Sequence, residues 1–298
     1  MSDTSQQKNL FCFGLGFAGS ALVREAQTGG WTVSGTCRDN AQMDRWTRAG
    51  VTPYGFDGKR ASKETESRVQ KASHVLVTIP PQKEEGDVVL KLFKNRLSHS
   101  TQLQWLGYLS TTGVYGNRDG GWVDETSELK PGFDHQRRRA AAECQWLELF
   151  REHGVPVHVF RLAGIYGPGR NLLERVRGGT AKRIDQPGLV FNRVHVDDVV
   201  QVLTASMERP HPGTIYNVAD DLPSPPAEAV AFACELLKAG VPPLVSLEDA
   251  GLSEMGRGFY LTNKRVRNRK IKEKLGVQLR YPDYKSGLRS ILEEERKS

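Results

Sequence analysis

The chain has 298 residues, 38% of them hydrophobic with 30 glycines besides, which is enough to bury a full core and excludes disordered and collagen-like classes. Its formal charge is +7, from 42 Lys and Arg against 35 Asp and Glu. Seven of those cations and a single acid fall between Lys264 and Lys274, so the remainder is nearly neutral and a uniformly polyanion-coating protein is excluded.

Short apolar runs alternate with amphipathic segments through the first half, the pattern of a parallel sheet with crossover helices. Strands are expected at Leu10 to Phe13, Trp31 to Cys37, Thr52 to Phe56, His74 to Ile79, Gln104 to Ser110 and Val157 to Phe160. Helices are expected at Ser20 to Gln27, Val88 to Leu97 and Arg138 to His153, the last stopped by Gly154. Beyond Arg161 the chain turns rich in Gly and Pro. A helix at Val196 to Met207, a strand at Ile215 to Val218 and a helix at Ala227 to Ala239 are expected there, with another across the basic segment.

The fold class that follows is α/β, a doubly wound parallel sheet with a smaller, mostly C-terminal substrate lobe. The sheet domain is assigned to 8–163 and 192–220, the lobe to 164–191 and 221–298. No apolar run approaches the roughly 20 residues that cross a bilayer, and no membrane role is expected. The first nine residues are polar and lack a signal-peptide core, so the protein is read as cytosolic or as already relieved of a targeting segment. Cys12, Cys37, Cys144 and Cys234 are far apart in the chain and are read as reduced thiols.

The first strand runs into Gly14-Leu15-Gly16-Phe17-Ala18-Gly19 and then a helix. Glycines at this spacing allow a tight turn, close approach of backbone to a pyrophosphate, and close helix packing, while the helix N-terminus offers amides to the anion. Gly14, Gly16, Phe17, Ala18 and Gly19 are therefore the candidate dinucleotide loop, with Ile79 and Pro80 beside it where a neighbouring strand stops. At the end of the second strand stands Arg38, which favours the 2′-phosphate of NADP. In the alternative, Arg38 is solvated and Asp39 takes the ribose hydroxyls of NAD.

Later segments carry a resemblance. Leu109-Ser110-Thr111-Thr112-Gly113-Val114-Tyr115-Gly116, Arg161-Leu162-Ala163-Gly164-Ile165-Tyr166-Gly167-Pro168-Gly169, Val194-His195-Val196-Asp197-Asp198-Val199 and Ile215-Tyr216-Asn217-Val218 look like successive landmarks of the extended short-chain dehydrogenases/reductases, the group with the epimerases and dehydratases. The Gly-x-Gly-x-x-Gly loop is more similar to an atypical branch known from bacteria and plastids, which adds the plastid stroma to the expected locations. The resemblance implies that Thr111 bonds the reacting oxygen and that Asp57 contacts adenine, although Asp57-Gly58 equally suits a capped turn. It also implies a Tyr and a Lys one helical turn apart. Counting from Pro131 and Glu143 puts His135 and Arg139 in those places instead.

Imidazole exchanges protons near neutral pH, and Arg can grip ribose hydroxyls without shuttling a proton. Thr111, His135 and Arg139 are thus the candidate catalytic set, the alternative being that 134–139 is only the exposed start of a helix. Trp122, Arg161, Tyr166 and Arg170 are the candidate substrate contacts. His195, Asp197 and Asp198 look like a metal set, but the resemblance gives that motif a helix-positioning role, and no metal is expected.

In the basic segment Val266, Ile271 and Leu275 could face the domain while the cations face water, or the cations could take an acidic or nucleic-acid partner. A homodimer is implied by the resemblance. Function is read as an NAD(P)-binding oxidoreductase or epimerase/dehydratase acting on a small carbonyl, hydroxyl or sugar-nucleotide substrate. The alternative is a cofactor-binding pseudoenzyme with a sensing or assembly role.

Overall fold

A computed structural model describes residues 8–297; the polar residues 1–7, which carried most of the targeting expectation, lie outside them. The first half reads β1 (Asn9–Phe13), α1 (Phe17–Thr28), β2 (Thr32–Cys37), α2 (Asn40–Arg48), β3 (Thr52–Gly55), α3 (Lys63–Gln70), β4 (His74–Val77), α4 (Val88–Ser98), β5 (Trp105–Thr111), β6 (Trp122–Val123) and α5 (Asp134–His153). There follow β7 (Val157–Leu162), β8 (Gly164–Tyr166), α6 (Leu172–Arg177), β9 (Arg183–Ile184), β10 (Arg193–His195), α7 (Val196–Glu208) and β11 (Ile215–Val218). The chain closes with α8 (Pro226–Leu237), β12 (Leu244–Val245), α9 (Glu254–Tyr260), β13 (Arg265–Val266), α10 (Arg269–Leu275) and α11 (Tyr284–Glu295).

Seven strands form one parallel sheet in the order β11-β7-β5-β4-β1-β2-β3. The order reverses between β1 and β4, and in open sheets of this kind the carboxyl ends at such a reversal are where ligands bind. β1 and β4 pair in register from Leu10 with His74 to Phe13 with Val77, so Gly14 and Thr78 leave the sheet side by side. Contacts divide the chain into two compact units. One runs up to Ser110 and adds Arg137–Arg161 and Val200–Tyr216; the other holds Thr111–Gln136, Leu162–Val199 and the chain from Asn217 onward. The stretch 111–136 thus groups with the C-terminal unit, whereas the expected domain boundaries put it with the sheet.

The core of the first unit is aromatic, with the Phe13 ring 4.8 Å from both Phe11 and Phe93 and the Tyr108 ring 5.7 Å from Trp146. A second set crosses the amino ends of the strands: Trp31 lies 4.6 Å from His74, and Trp105 lies 6.3 Å from His74 and 5.8 Å from His158. Both histidines are buried, which pushes their pKa down to about 4, with the Lys8 charge adding to the effect at His74. A histidine held neutral by burial stabilises the fold fully above its ordinary value near 6.5, and that stabilisation is lost as pH falls toward 4. Replacing His158 with Gln should therefore flatten the pH dependence of urea unfolding. Between pH 6.5 and 4.5 the wild type should lose about 2 kcal/mol relative to the variant; parallel stability curves would contradict this.

In the second unit three short parallel pairs, β8 with β10, β9 with β12 and β6 with β13, are joined by helices. Tyr166, Leu173, Ala229, Ala233, Tyr284 and Leu288 belong to its main apolar cluster. Gly287 lets α11 sit against β8, because a Cβ there would collide with the Tyr166 phenol.

Several expected elements need correction. α1 begins at Phe17 rather than Ser20, so the second half of the glycine loop is itself the first helical turn. α5 begins at Asp134 rather than Arg138, which puts His135 inside the helix. The basic segment is not one helix: Arg265–Val266 pairs with β6, and α10 starts only at Arg269. Val266, Ile271 and Leu275 are buried as expected, but so is Lys264, whose ammonium is pushed down to about 8 by burial and by the Arg118 charge. Of the other cations, Arg269 pairs with Glu273 and Lys272 with Asp221. No helix among the described residues is long and apolar enough to cross a membrane.

Candidate functional site

The glycine loop is clamped from both flanking strands. Gly14 N–H donates to Thr36 Oγ1 at 2.9 Å and Leu15 N–H to the Thr36 carbonyl at 2.9 Å. From the other side Thr78 Oγ1 lies 3.0 and 2.8 Å from the carbonyls of Phe13 and Gly14. Gly14 has φ +95°, and a Cβ on it would come within 2.5 Å of Thr78 Oγ1 and 3.0 Å of Ile79, so only glycine fits. Gly19 packs its backbone against Gly14 and Cys12, where a Cβ would collide.

Gly16 differs from both. It is exposed, and a Cβ there would meet nothing within 4 Å. It is the N-cap of α1, with no side-chain cap and no acid in the first turn. A helix start of that kind presents first-turn amides and a partial positive charge to an anion. This open cradle over a helix N-terminus fits a dinucleotide pyrophosphate.

At the ribose end Arg38 is exposed just past β2. Asp39, the alternative ribose ligand, caps α2 by accepting from Gln42 N–H at 2.8 Å. Asp57 accepts from Lys59 N–H at 2.8 Å, the capped turn weighed above, and that bond holds its carboxyl below the ordinary range. Ile79 is half-buried beside the loop and Pro80 is exposed next to it.

Thr111 is the last residue of β5, half-buried, and its Oγ1 accepts from Gly113 N–H at 3.0 Å, which leaves the hydroxyl proton free to be donated. His135 is exposed, with its ring stacked 5.8 Å from Phe133. Gln136 fixes this helix start by accepting from Gly132 N–H at 3.0 Å and Phe133 N–H at 3.3 Å. His135 and Arg139 are one turn apart and so share a helix face. Arg139 Nη1 donates to the Leu109 carbonyl at 2.8 Å and to the Tyr108 hydroxyl at 3.1 Å. Part of that guanidinium is thus committed to β5, a tie nothing in the residue spacing announced. Thr111 and His135 fall in the second unit and Arg139 in the first.

Of the expected substrate contacts, Arg161 needs correction. It is 3% exposed, and its guanidinium donates to Glu143, at 2.7 Å from Nη2 and 3.0 Å from Nε to Oε2. Ser110 Oγ donates to the other carboxylate oxygen. Arg161 is a core cation neutralised by Glu143, with no face left for substrate.

Tyr166 and Arg170 line a cavity of about 260 Å³ in the second unit together with Arg175, Phe191, Arg193 and Tyr284. Burial raises the Tyr166 phenol above its ordinary value, and its hydroxyl is 3.4 Å from the Asp283 carbonyl. Arg193 donates to Ser224 Oγ at 2.7 Å and lies 5.3 Å over the Tyr284 ring, with burial lowering its pKa. Arg175 and Arg193 were missed because isolated arginines carry no spacing signal. Trp122 is half exposed, with Arg267 4.9 Å above its ring, and is not among the residues lining this cavity. Asp198 accepts from the Arg280 and Tyr281 amides at 2.7 and 3.0 Å, and His195 Nδ1 accepts from Asp197 N–H at 3.2 Å.

A doubly wound sheet with a glycine loop over a helix N-terminus defines a Rossmann-type dinucleotide-binding fold. The chain belongs to the NAD dependent epimerase/dehydratase family, which matches residues 89–219, a stretch that includes Thr111, His135 and Arg139. It is 43% identical to a functionally unknown conserved protein from Silicibacter pomeroyi DSS, with a TM-score of 0.87 over 97% of this chain and 99% of that one. Protein YeeZ of Escherichia coli (strain K12) is 27% identical over 292 residues, 93% of this chain and 97% of its own. The fold is shared with the dTDP-glucose 4,6-dehydratase of Bacillus anthracis in complex with NAD, at 17% identity and a TM-score of 0.76 over 98% and 97% of the two chains.

Proposed function

We propose that this protein is a nicotinamide-dinucleotide oxidoreductase of the epimerase/dehydratase type, preferring NADP(H), that acts on a small carbonyl, hydroxyl or sugar-nucleotide substrate. The observation that carries the reading is the clamped loop with its open Gly16 cradle. When bound, the nicotinamide supplies the hydride donor or acceptor. Gly14 to Gly19 hold the pyrophosphate, and Arg38 favours a 2′-phosphate. Thr111 donates a hydrogen bond to the substrate oxygen and orients it, keeping its own proton, and His135 gives or takes the proton that a phenol would otherwise handle. Arg139, steadied by Leu109 and Tyr108, offers its remaining N–H groups to ribose. The cavity bearing Arg170, Arg175 and Arg193 suits a phosphate or carboxylate on the substrate.

The committed Nη1 of Arg139 favours a second reading, a protein that binds cofactor without turnover and docks an acidic partner on its basic segment. Replacing His135 with Phe separates the two. On the enzyme reading turnover falls by roughly 100-fold or more while dinucleotide affinity is unchanged. Unchanged turnover in that variant would remove His135 from the chemistry.

A further inference from the structure

Lys264 carries a buried charge that neither the proton transfer nor the dinucleotide uses. Inward and outward positions alternate around β13: Lys264, Val266 and Asn268 are 6%, 2% and 9% exposed, whereas Arg267 and Arg269 are open to solvent. Asn192, which lines the arginine-bearing cavity, holds this strand by donating from Nδ2 to the Lys264 carbonyl at 2.9 Å and accepting from Val266 N–H at 2.8 Å. On the other flank Arg118 N–H donates to the Asn263 carbonyl at 2.8 Å. The Arg118 guanidinium meets only neutral acceptors, Nε donating to the Tyr115 carbonyl at 3.0 Å and Nη2 to the Glu128 carbonyl. The Glu128 carboxylate pairs with Lys130 instead. Burial and the Arg118 charge act on the Lys264 ammonium, and among the described residues no carboxylate or hydrogen-bond acceptor meets it. An ammonium this deep beside a second cation is costly to the fold until an anion arrives.

We infer that Lys264, with Arg118 beside it, binds the carboxylate of an acidic substrate and makes this protein selective for a hydroxylated acid over its neutral counterpart. The inference deepens the oxidoreductase reading and rests on it. A carboxylate is a monoanion with two oxygens, one for the ammonium and one for Nη1, the guanidinium nitrogen that Tyr115 and Glu128 leave over. A phosphate dianion would bring a further oxygen and a further charge into a recess that is nearly closed. Neither cation has to leave an ion pair to take the ligand.

The test is thermal unfolding of the full chain near neutral pH and at fixed ionic strength, with D-glucuronate and with D-glucose as its uncharged counterpart. The wild-type melting temperature should rise saturably with D-glucuronate and much less with D-glucose. Lys264→Met should lose roughly tenfold or more in affinity for D-glucuronate, as for loss of one charge-assisted contact. Without ligand the same variant should melt roughly 2–4 °C higher than the wild type, because an unpaired buried charge has gone. A variant that melts several degrees lower marks Lys264 as a structural residue and overturns the assignment. So does a Lys264→Met protein that responds to D-glucuronate like the wild type, or a response lost in Arg170→Ala instead, which puts the carboxylate in the arginine cavity. A wild type indifferent to D-glucuronate that still binds NADPH overturns the inference and leaves the dinucleotide reading standing; indifference to both overturns both.

Discussion

Truncating Glu143 to Ala should cost about 3–5 kcal/mol of stability, the largest loss expected from any single change outside the aromatic core. Glu143 and Arg161 have side chains only 2% and 4% exposed, and the guanidinium grips the carboxylate through Nε and Nη2. Removing the carboxylate leaves an arginine buried at the end of β7 without a counter-charge, and strands Ser110 Oγ as well. The penalty comes from the orphaned charge more than from the lost bond. The double replacement Glu143→Leu with Arg161→Met should therefore be markedly less damaging than Glu143→Ala alone. Urea unfolding of the three proteins measures this. A Glu143→Ala loss under 1 kcal/mol, or a double variant worse than the single, would contradict a paired core cation.

Gly16→Val should leave the fold intact and remove dinucleotide binding, with affinity lower on the order of 100-fold, or about 2.7 kcal/mol. The backbone there, φ −84° and ψ −163°, is one valine adopts easily, and its side chain would enter space no protein atom occupies. That is the space the pyrophosphate needs. Gly14→Ala makes the contrast, because its φ of +95° and the nearby Thr78 hydroxyl should turn the same kind of change into a stability defect. If Gly16→Val binds dinucleotide like the wild type, the cradle has another occupant.

Much of the sheet was legible because its strands are buried on both faces and read as unbroken apolar runs, as at Leu10 to Phe13 and His74 to Val77. α2 and α3 escaped because little of either is buried: Trp46 alone in α2, Thr65 and Val69 in α3. Their capping residues Asp39 and Ser62 were the available signals. α1 and α5 start earlier than the apolar periodicity suggests, since a first turn is built on amides and caps rather than on apolar side chains. The glycine loop was readable because the spacing itself is the signal: Gly14 and Gly19 have no room for a Cβ, while Gly16 leaves open space above the helix start. Arg161 was misread because a cation at a strand's carboxyl end looks the same in sequence whether it faces a ligand or a buried carboxylate eighteen residues earlier. Lys264 was misread likewise, a charge run giving no sign of which member turns inward.

The most direct test of the account is a titration of the wild-type protein with NADPH and NADH, followed by tryptophan fluorescence and by the melting temperature. The account predicts saturable binding of both at micromolar to sub-millimolar concentration, NADPH the tighter, with a rise in melting temperature that tracks occupancy. Absence of any change with either nucleotide up to millimolar concentration would contradict it.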